Sequence, residues 1–393
     1  MDATNQAPRV TALDRLPIYS WDGLAPLLEA AKDYPGPTVN LSAGNPVDPT
    51  PAFIAEAMAR GSNAPSYVTP DGSVELRTAI TDWLARMRNV SIDPTAVLPL
   101  IGTREVLSWI ELFLDLGPGD VVAVETLAYP AYKIGVGLVG AELLVMNQLA
   151  DLPTDGSVKL IVINTPQNPG GTILGVDELR GLVDWARRHD AVILSDECYS
   201  EFVWEGEAIS LLDPRVTGGD TTNLLITNSC SKRSNMAGYR LGFIAGDPHL
   251  TGPMLGFRSQ MGLGIPLAMQ HAMIAALGDE EHVRVQAERY RARRDGLTQA
   301  LRSTGWTVAD CRGGLFLWAS LPGRDGWDAA QELAQLGIIV APGELYGAAG
   351  LQNVRIALTA VDRDITAAIG RIAARTDFSG SSSTGLGRQP EGK

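Results

Sequence analysis

Six short apolar runs, VVAVET, AELLVMN, VKLIVINT, AVILSDE, NLLITNS and GFIAGD, succeed one another from Val121 onward, several of them separated by stretches of helical spacing near Tyr132–Val139 and from about Asp177 to His189. Runs of four to eight apolar, β-branched residues suit strands covered on both faces. Strands that alternate with helices build a mostly parallel sheet, so the chain is predicted to be α/β. Open sheets of this kind bind ligands just beyond the carboxyl ends of their strands. The residues just after each run are therefore the first place to look for chemistry. A nicotinamide site would need GxGxxG directly after its first strand, and no apolar run here leads directly into one.

One stretch dominates that search, NSCSKRSNMAGYRLG from Asn228 to Gly242, directly after the apolar Leu224–Ile226. The chain has only five lysines (Lys32, Lys133, Lys159, Lys232 and Lys393), so a lysine at a strand end is not part of a scattered positive surface. Burial disfavours the charged amine, and a neutral lysine amine is a nucleophile toward carbonyl carbon. Ser229 offers a hydroxyl and Arg240 a planar fork of donors that matches phosphate oxygens. Gly238 and Gly242 allow close backbone approach.

Four further strand ends or loops carry candidate groups. In NTPQNPGG (164–171), Asn168 can hydrogen-bond a ligand oxygen, unless the stretch is a plain strand-to-helix turn. In SDECY (195–199), Asp196 would be a carboxylate buried beside the sheet and in need of a cation, with Tyr199 three residues on. Tyr129 in AYPAY either stacks on a flat ligand or is a core aromatic. Arg355 in NVRIAL is flanked by apolar residues, and a buried arginine calls for a carboxylate, from the protein or from a substrate.

Nearer the start, LPIYSWDGLAPLLEAAK suggests a helix that packs on something distant in sequence. LSAGNPVDPTP (41–51) lets Gly44 bring backbone close to a ligand before a helix from about Ala52. SYVTPDG (66–72) precedes a helix Val74–Arg88, and Tyr67 there is either surface or an anion donor. A strand Val97–Ile101 runs into Gly102, Thr103 and Arg104, which are expected to open a long helix whose first N–H groups face an anion. After Asp247 the pattern is helical to about Thr304, with Arg293–Asp295 expected on a polar face, and FLWAS, IIVAP and VRIAL then suggest a smaller α+β lobe. From Asp377 the Ser- and Gly-rich end is expected to lack order.

Forty-five acidic against 32 basic residues give a net charge of −13, with no basic cluster, which excludes nucleic acid and membrane as expected partners. Three cysteines and four histidines show no metal spacing, so no metal is expected, and the thiols suit a cytoplasmic setting. Nothing in Met1–Val10 resembles a signal peptide, and no apolar run is long enough to cross a membrane.

These stretches, in this order, resemble the class I pyridoxal-phosphate aminotransferases over about Leu16 to Arg375. The resemblance implies a fold type I architecture: a large domain with a seven-stranded, mostly parallel sheet and a small α+β domain. The expected division is an N-terminal segment 1–45 packed on the small domain, a large domain 46–280, a small domain 281–376 and a tail 377–393. Pyridoxal 5′-phosphate is the implied cofactor, with Lys232 as Schiff-base lysine and proton shuttle and Asp196 on the pyridine nitrogen. Asn168 and Tyr199 would hold the ring oxygen, Tyr129 would stack on the ring, and backbone at Thr103 and Arg104 with Ser229 and Arg240 would take the phosphate. Tyr67 would reach the phosphate of a neighbouring subunit, which implies a homodimer. Arg355 would take the substrate α-carboxylate, with Gly44 and Asn168 beside it.

Two positions depart from the family pattern, Gly170 where threonine is usual and Leu127 where proline is common. Within the family, SKRSNMAGYRLGF, NPVDPTPAFI and APGELYG resemble the succinyldiaminopimelate aminotransferases of actinobacterial type. That implies amino transfer from glutamate to N-succinyl-2-amino-6-oxopimelate. Aspartate, alanine or aromatic aminotransferases and C–S lyases are the alternatives. Arg104, Arg233 and the loop Gly262–Pro266 are the candidates for the distal end of the substrate.

Overall fold

The computed structural model describes residues 12–16, 23–375 and 378. The expectations for Met1–Val10, for Pro17–Asp22 and for the tail from Asp377, apart from the single residue Phe378, lie outside the described residues.

Strand β1 is Val39–Asn40. The next seven are β2 (Val97–Leu100), β3 (Val121–Glu125), β4 (Glu142–Met146), β5 (Val158–Asn164), β6 (Val192–Asp196), β7 (Leu224–Ser229) and β8 (Gly242–Gly246). They form one sheet in the order β2-β8-β7-β6-β5-β3-β4. β8 runs antiparallel to both of its neighbours and every other pair is parallel. All six apolar runs are thus strands of a single, mostly parallel sheet, as the alternation predicts.

Cover on both sides explains the continuous apolar runs except that of β4, the edge strand, where Leu143 and Val145 are exposed. In β5, Ile161 and Ile163 join one core cluster while Leu160 and Val162 join another, the two-residue period of a strand buried on both faces. Leu76 and Ile80 from the helix Val74–Arg88, Leu179 and Val183 from Val176–His189, and Ala272 from Leu267–Leu277 close the first face. Tyr132 and Val136 from Tyr132–Val139 and Met254 from Pro248–Gln260 close the second. The sequence boundaries of the first helix are set by caps: Ser73 accepts from Leu76 N–H at 3.1 Å, and Asn89 closes the other end with a left-handed φ of 55°.

A second lobe holds β9 (Thr307–Val308), β10 (Phe316–Ser320), β11 (Ile338–Ile339), β12 (Ala341–Pro342) and β13 (Val354–Ala357). Four of these form an antiparallel sheet in the order β12-β13-β10-β9, and β11 pairs in parallel with β1. Its core joins Leu297, Phe316, Ile338 and Ile372 to Leu27, Ala31 and Val39 from near the start of the chain. The helix Ala25–Ala30 therefore packs on residues distant in sequence, as its pattern suggests.

Two expectations are corrected here. The stretch after Gly102 is no long helix: it runs through turns, a 3-10 turn Val106–Ser108 and a single α-turn Ile110–Phe113. The break falls at Trp109, whose φ of −141° turns its ring onto Phe257 at 5.2 Å and Phe113 at 6.4 Å. Aromatic packing outweighs helical continuation at that one residue. Arg293 does not lie on a polar face but is buried in the helix Glu281–Ser303, where it pairs with Asp48 at 2.8 Å and Asp362 at 2.7 Å. That pairing anchors the segment leading into the site to the small lobe.

Candidate active site

The carboxyl ends of β5, β6 and β7 open into a cavity of about 790 Å³ whose far wall comes from the small lobe and the 40–45 segment. β6 ends on Asp196, which is 4% exposed. Tyr132 donates its hydroxyl to the carboxylate at 3.0 Å and the Cys198 backbone N–H donates at 3.2 Å. No cation hydrogen-bonds to Asp196 among the described residues, and burial pushes its carboxyl above the usual range. A carboxylate held this way has room in its environment for one cationic N–H.

β5 ends on Asn164, whose side chain joins two loops. It donates to the Asp196 carbonyl at 2.7 Å and accepts from the Asn168 N–H at 2.7 Å. Asn168, also buried, accepts from Arg355 Nη1 at 2.9 Å. Arg355 comes from β13, is 2% exposed, donates Nη2 to the Ser42 carbonyl and lies over the rings of Phe316 (4.0 Å) and Tyr346 (4.8 Å). Two aromatic faces hold the guanidinium plane in a fixed direction at the cavity wall. Tyr199 is buried and meets Phe316 edge to face at 5.6 Å.

β7 ends on Ser229, whose hydroxyl caps the short turn Cys230–Arg233 by accepting from Ser231 N–H at 3.0 Å. That turn places Lys232 with its amine on the Gly44 carbonyl, inside the cavity. Desolvation lowers the Lys232 amine from 10.5 to about 8; Arg355 and Arg240 push the same way, while Cys198 and Asp196 oppose them. Gly44 must be a glycine, since a Cβ there would lie 2.5 Å from the Phe316 ring.

At the near edge, Gly102 has φ +71° and a Cβ on it would lie 2.6 Å from Arg240 Nη2. Arg240 is itself in the left-handed region at φ 57°, and its guanidinium also donates to the Ala237 carbonyl at 3.1 Å. With Thr103, Arg104, Ser229 and Ser231, these groups make a donor-rich corner of the cavity whose chemistry suits a phosphate. Gly102→Ala is expected to push the guanidinium away and to weaken retention of a phosphorylated ligand by roughly 10- to 100-fold. Equilibrium dialysis checks it, and retention within twofold of the parent would show that this pocket is not the phosphate site.

Of the residues singled out in the sequence, Gly44, Thr103, Arg104, Tyr129, Asn168, Asp196, Tyr199, Ser229, Lys232, Arg240 and Arg355 all line the one cavity. Tyr67 does not, and its side chain is fully exposed. Arg233 is corrected: it is 1% exposed, hydrogen-bonded to Ala276 O and Glu280 and in ion-pair contact with Glu201 at 3.4 Å, so it does not face a substrate. The loop Gly262–Pro266 is corrected too, since it contributes nothing to the cavity and Ile265 is core. Sequence reasoning missed Tyr132, although it stands one helical turn past Tyr129, and missed Asn164, whose strand-end position was its only signal. Among the described residues no His, Cys, Asp and Glu cluster suits a metal, and no helix is long and apolar enough to cross a membrane.

A buried carboxylate, an amine of lowered pKa and a set of arginine and serine donors, ranged along the strand ends of one mostly parallel sheet, fit a pyridoxal-phosphate enzyme of fold type I. The chain belongs to the family of class I and II aminotransferases, whose model matches residues 37–372. It is 45% identical over 91% of its length, and 99% of the relative's, to a 4-dedimethylamino-4-oxo-anhydrotetracycline transaminase of Streptomyces rimosus. It is 31% identical to an LL-diaminopimelate aminotransferase of Dehalococcoides mccartyi, covering 92% of this chain and 97% of that one. Among solved structures, an aminotransferase from Staphylococcus aureus superposes with a TM-score of 0.84 at 25% identity, covering 93% and 98% of the two chains. A probable N-succinyldiaminopimelate aminotransferase from Thermus thermophilus gives 0.82 at 26%, covering 90% and 99%. The protein is a pyridoxal-phosphate-dependent aminotransferase that acts on amino acids and 2-oxo acids.

Proposed function

We propose that this aminotransferase moves an amino group from glutamate to N-succinyl-2-amino-6-oxopimelate, a step toward diaminopimelate and lysine, in the cytoplasm and as a homodimer. The observation that carries the reading is three arginines on one cavity, Arg240, Arg355 and Arg104, in a chain of net charge −13. Cofactor phosphate and substrate α-carboxylate account for Arg240 and Arg355. Arg104 is exposed at the mouth and its side chain makes no hydrogen bond or ion pair among the described residues, so it supports a substrate with a second anionic end. The likeness to proteins named for diaminopimelate metabolism supports the same class.

In this proposal each side chain has one task. Bound in the cavity, the cofactor supplies an aldehyde carbon that exchanges amino groups and a ring that accepts electrons from the substrate α-carbon. Lys232 moves the proton of that α-carbon. Asp196 holds the proton of the ring nitrogen, Asn168 and Tyr199 orient the ring oxygen, and Tyr129 covers the ring face. Ser229, Arg240 and the backbone of Thr103 and Arg104 hold the phosphate, joined by Tyr67 of a second copy. Arg355 fixes the α-carboxylate, with Gly44 backbone and Asn168 closing the same corner. The division into a large domain 46–280 and a small domain 281–376 with segment 1–45 belongs to the proposal as well. Donor and acceptor use one site in turn, which makes the kinetics ping-pong.

A single-turnover test decides the acceptor. Enzyme carrying the amino form of the cofactor is mixed with N-succinyl-2-amino-6-oxopimelate, oxaloacetate, pyruvate, phenylpyruvate or an aromatic ring ketone, and absorbance is followed. The succinylated acid is expected to react at least roughly tenfold faster, with Arg104→Gln removing about that factor while pyruvate is unchanged. Preference for a small oxo acid instead would favour an aspartate, alanine or aromatic aminotransferase, and elimination of sulfide from a cysteine conjugate a C–S lyase. Preference for the ring ketone is the outcome that the 45% identical relative supports, together with the apolar rim of Leu24, Leu28 and Leu107.

A further inference from the structure

Arg233 comes directly after Lys232 in the chain, yet its side chain turns the opposite way, into the protein. It is 1% exposed and its three nitrogens reach three separate elements. Nη1 donates to the Ala276 carbonyl at 2.6 Å, Nη2 lies 2.8 Å from Glu280, and Nε lies 3.4 Å from Glu201. Glu201 stands two residues beyond Tyr199, its side chain is 3% exposed, and its carboxylate also takes Arg88 at 3.0 Å. Both guanidinium groups stack on Trp83, at 5.0 Å for Arg88 and 5.6 Å for Arg233. A second tie runs parallel: Asn228, four residues before the lysine, donates to the Glu197 carbonyl at 3.0 Å and to Ser200 Oγ at 3.1 Å.

We propose that Arg233 and Glu201 are positioning residues, a buried ion pair that fastens the Lys232 segment to the Tyr199 segment from behind the cavity. Neither lines the cavity, whereas Lys232 and Tyr199 both do. Removing either member leaves the other buried with only its second counter-charge, Arg88 for Glu201 and Glu280 for Arg233, so the network resists partial opening and holds its two segments in one register. A lysine cannot replace Arg233, because one ammonium cannot serve three directions that a planar fork serves. The amine of Lys232 is on the Gly44 carbonyl with Asp196, Arg240 and Arg355 as its charged surroundings. A displacement of about 1 Å in that setting is enough to cost on the order of 100-fold in rate.

The inference rests on the reading of Lys232 as the proton-moving amine, so Lys232→Ala is run beside it. Arg233→Lys and Glu201→Gln are made in the full-length chain. Three quantities are read: kcat and KM for glutamate, melting temperature, and the pH midpoint for acylation of Lys232 in the chain without added cofactor. Positioning predicts kcat down by roughly 10- to 100-fold with KM within twofold. It also predicts a midpoint that climbs toward the ordinary lysine value, because a loosened segment lets water reach the amine. A fall in melting temperature alone, with kcat and midpoint kept, assigns the pair a purely structural part and overturns the proposal. Where Arg233→Lys does not fold, Glu201→Gln decides by the same readings. Turnover that survives Lys232→Ala removes the reading of the lysine itself, a result distinct from failure of the clamp.

Discussion

Lys232→Ala is expected to lower the rate of the glutamate half-reaction by on the order of 10³-fold or more, while glutamate and cofactor still bind. The size of the effect comes from what the site does to the amine. With its pKa at about 8, half of Lys232 is neutral at pH 8, whereas at its ordinary 10.5 only about one molecule in three hundred would be. Burial therefore raises the supply of reactive amine by roughly two orders of magnitude before orientation is counted. Orientation adds to it, since the amine is held on the Gly44 carbonyl at the end of β7 rather than swinging in solvent. Stopped-flow absorbance with glutamate measures the loss, and added methylamine, which restores a mobile base but not its placement, is expected to recover a small part. A variant within tenfold of the parent would show that another group moves the proton.

Asp196→Asn is expected to cost about 10²- to 10³-fold in kcat, with a smaller loss in cofactor retention. Asparagine keeps the size but has one acceptor oxygen where Tyr132 and the Cys198 N–H use two, so the change removes the charge and also reverses or breaks one of these hydrogen bonds. The sign is set by burial. A carboxyl already pushed upward by desolvation gains most from a cation placed against it, and that same pairing raises the pKa of the ring nitrogen so that it stays protonated. In the proposed role Asp196 would hold the proton on the ring nitrogen of a bound cofactor, and without its negative charge the site would no longer favour that proton. Near-normal kcat in this variant would mean that the ring nitrogen meets some other partner. Tyr132→Phe offers a milder comparison, since it removes one hydrogen bond and leaves the carboxylate in place.

How much of the molecule was legible in the sequence depended on the distance over which each feature is decided. Strands β3 and β5 to β8 were readable because burial on both faces writes a continuous apolar run into each of them, whereas β4 at the sheet edge carries an apolar run although Leu143 and Val145 are exposed. Site residues at strand ends were readable for the same reason, because the polar residue that ends an apolar run stands at the carboxyl edge of the sheet. Arg233 and Arg293 were misplaced because a charge says nothing of its partner, and Asp48 lies 245 positions from Arg293. The long helix expected after Gly102 was lost at Trp109, where contact with Phe257 overrides local propensity. Neither the antiparallel turn of β8 nor the part of Asn164 in linking Asp196 to Asn168 has a local signature, since both are set by which strands become neighbours.

The ion pair behind Lys232 bears on how such a scaffold diversifies. Because the lysine is fastened from inside, the exposed cavity residues Leu28 and Arg104 are free to drift without disturbing the chemistry. New amino acceptors are then reached by changes at the mouth alone, each tested by selection against a working catalytic centre. Relatives named for a tetracycline intermediate and for diaminopimelate share this one chassis. An engineer seeking a third acceptor would randomise Leu28 and Arg104 and leave Arg88, Glu201 and Arg233 untouched.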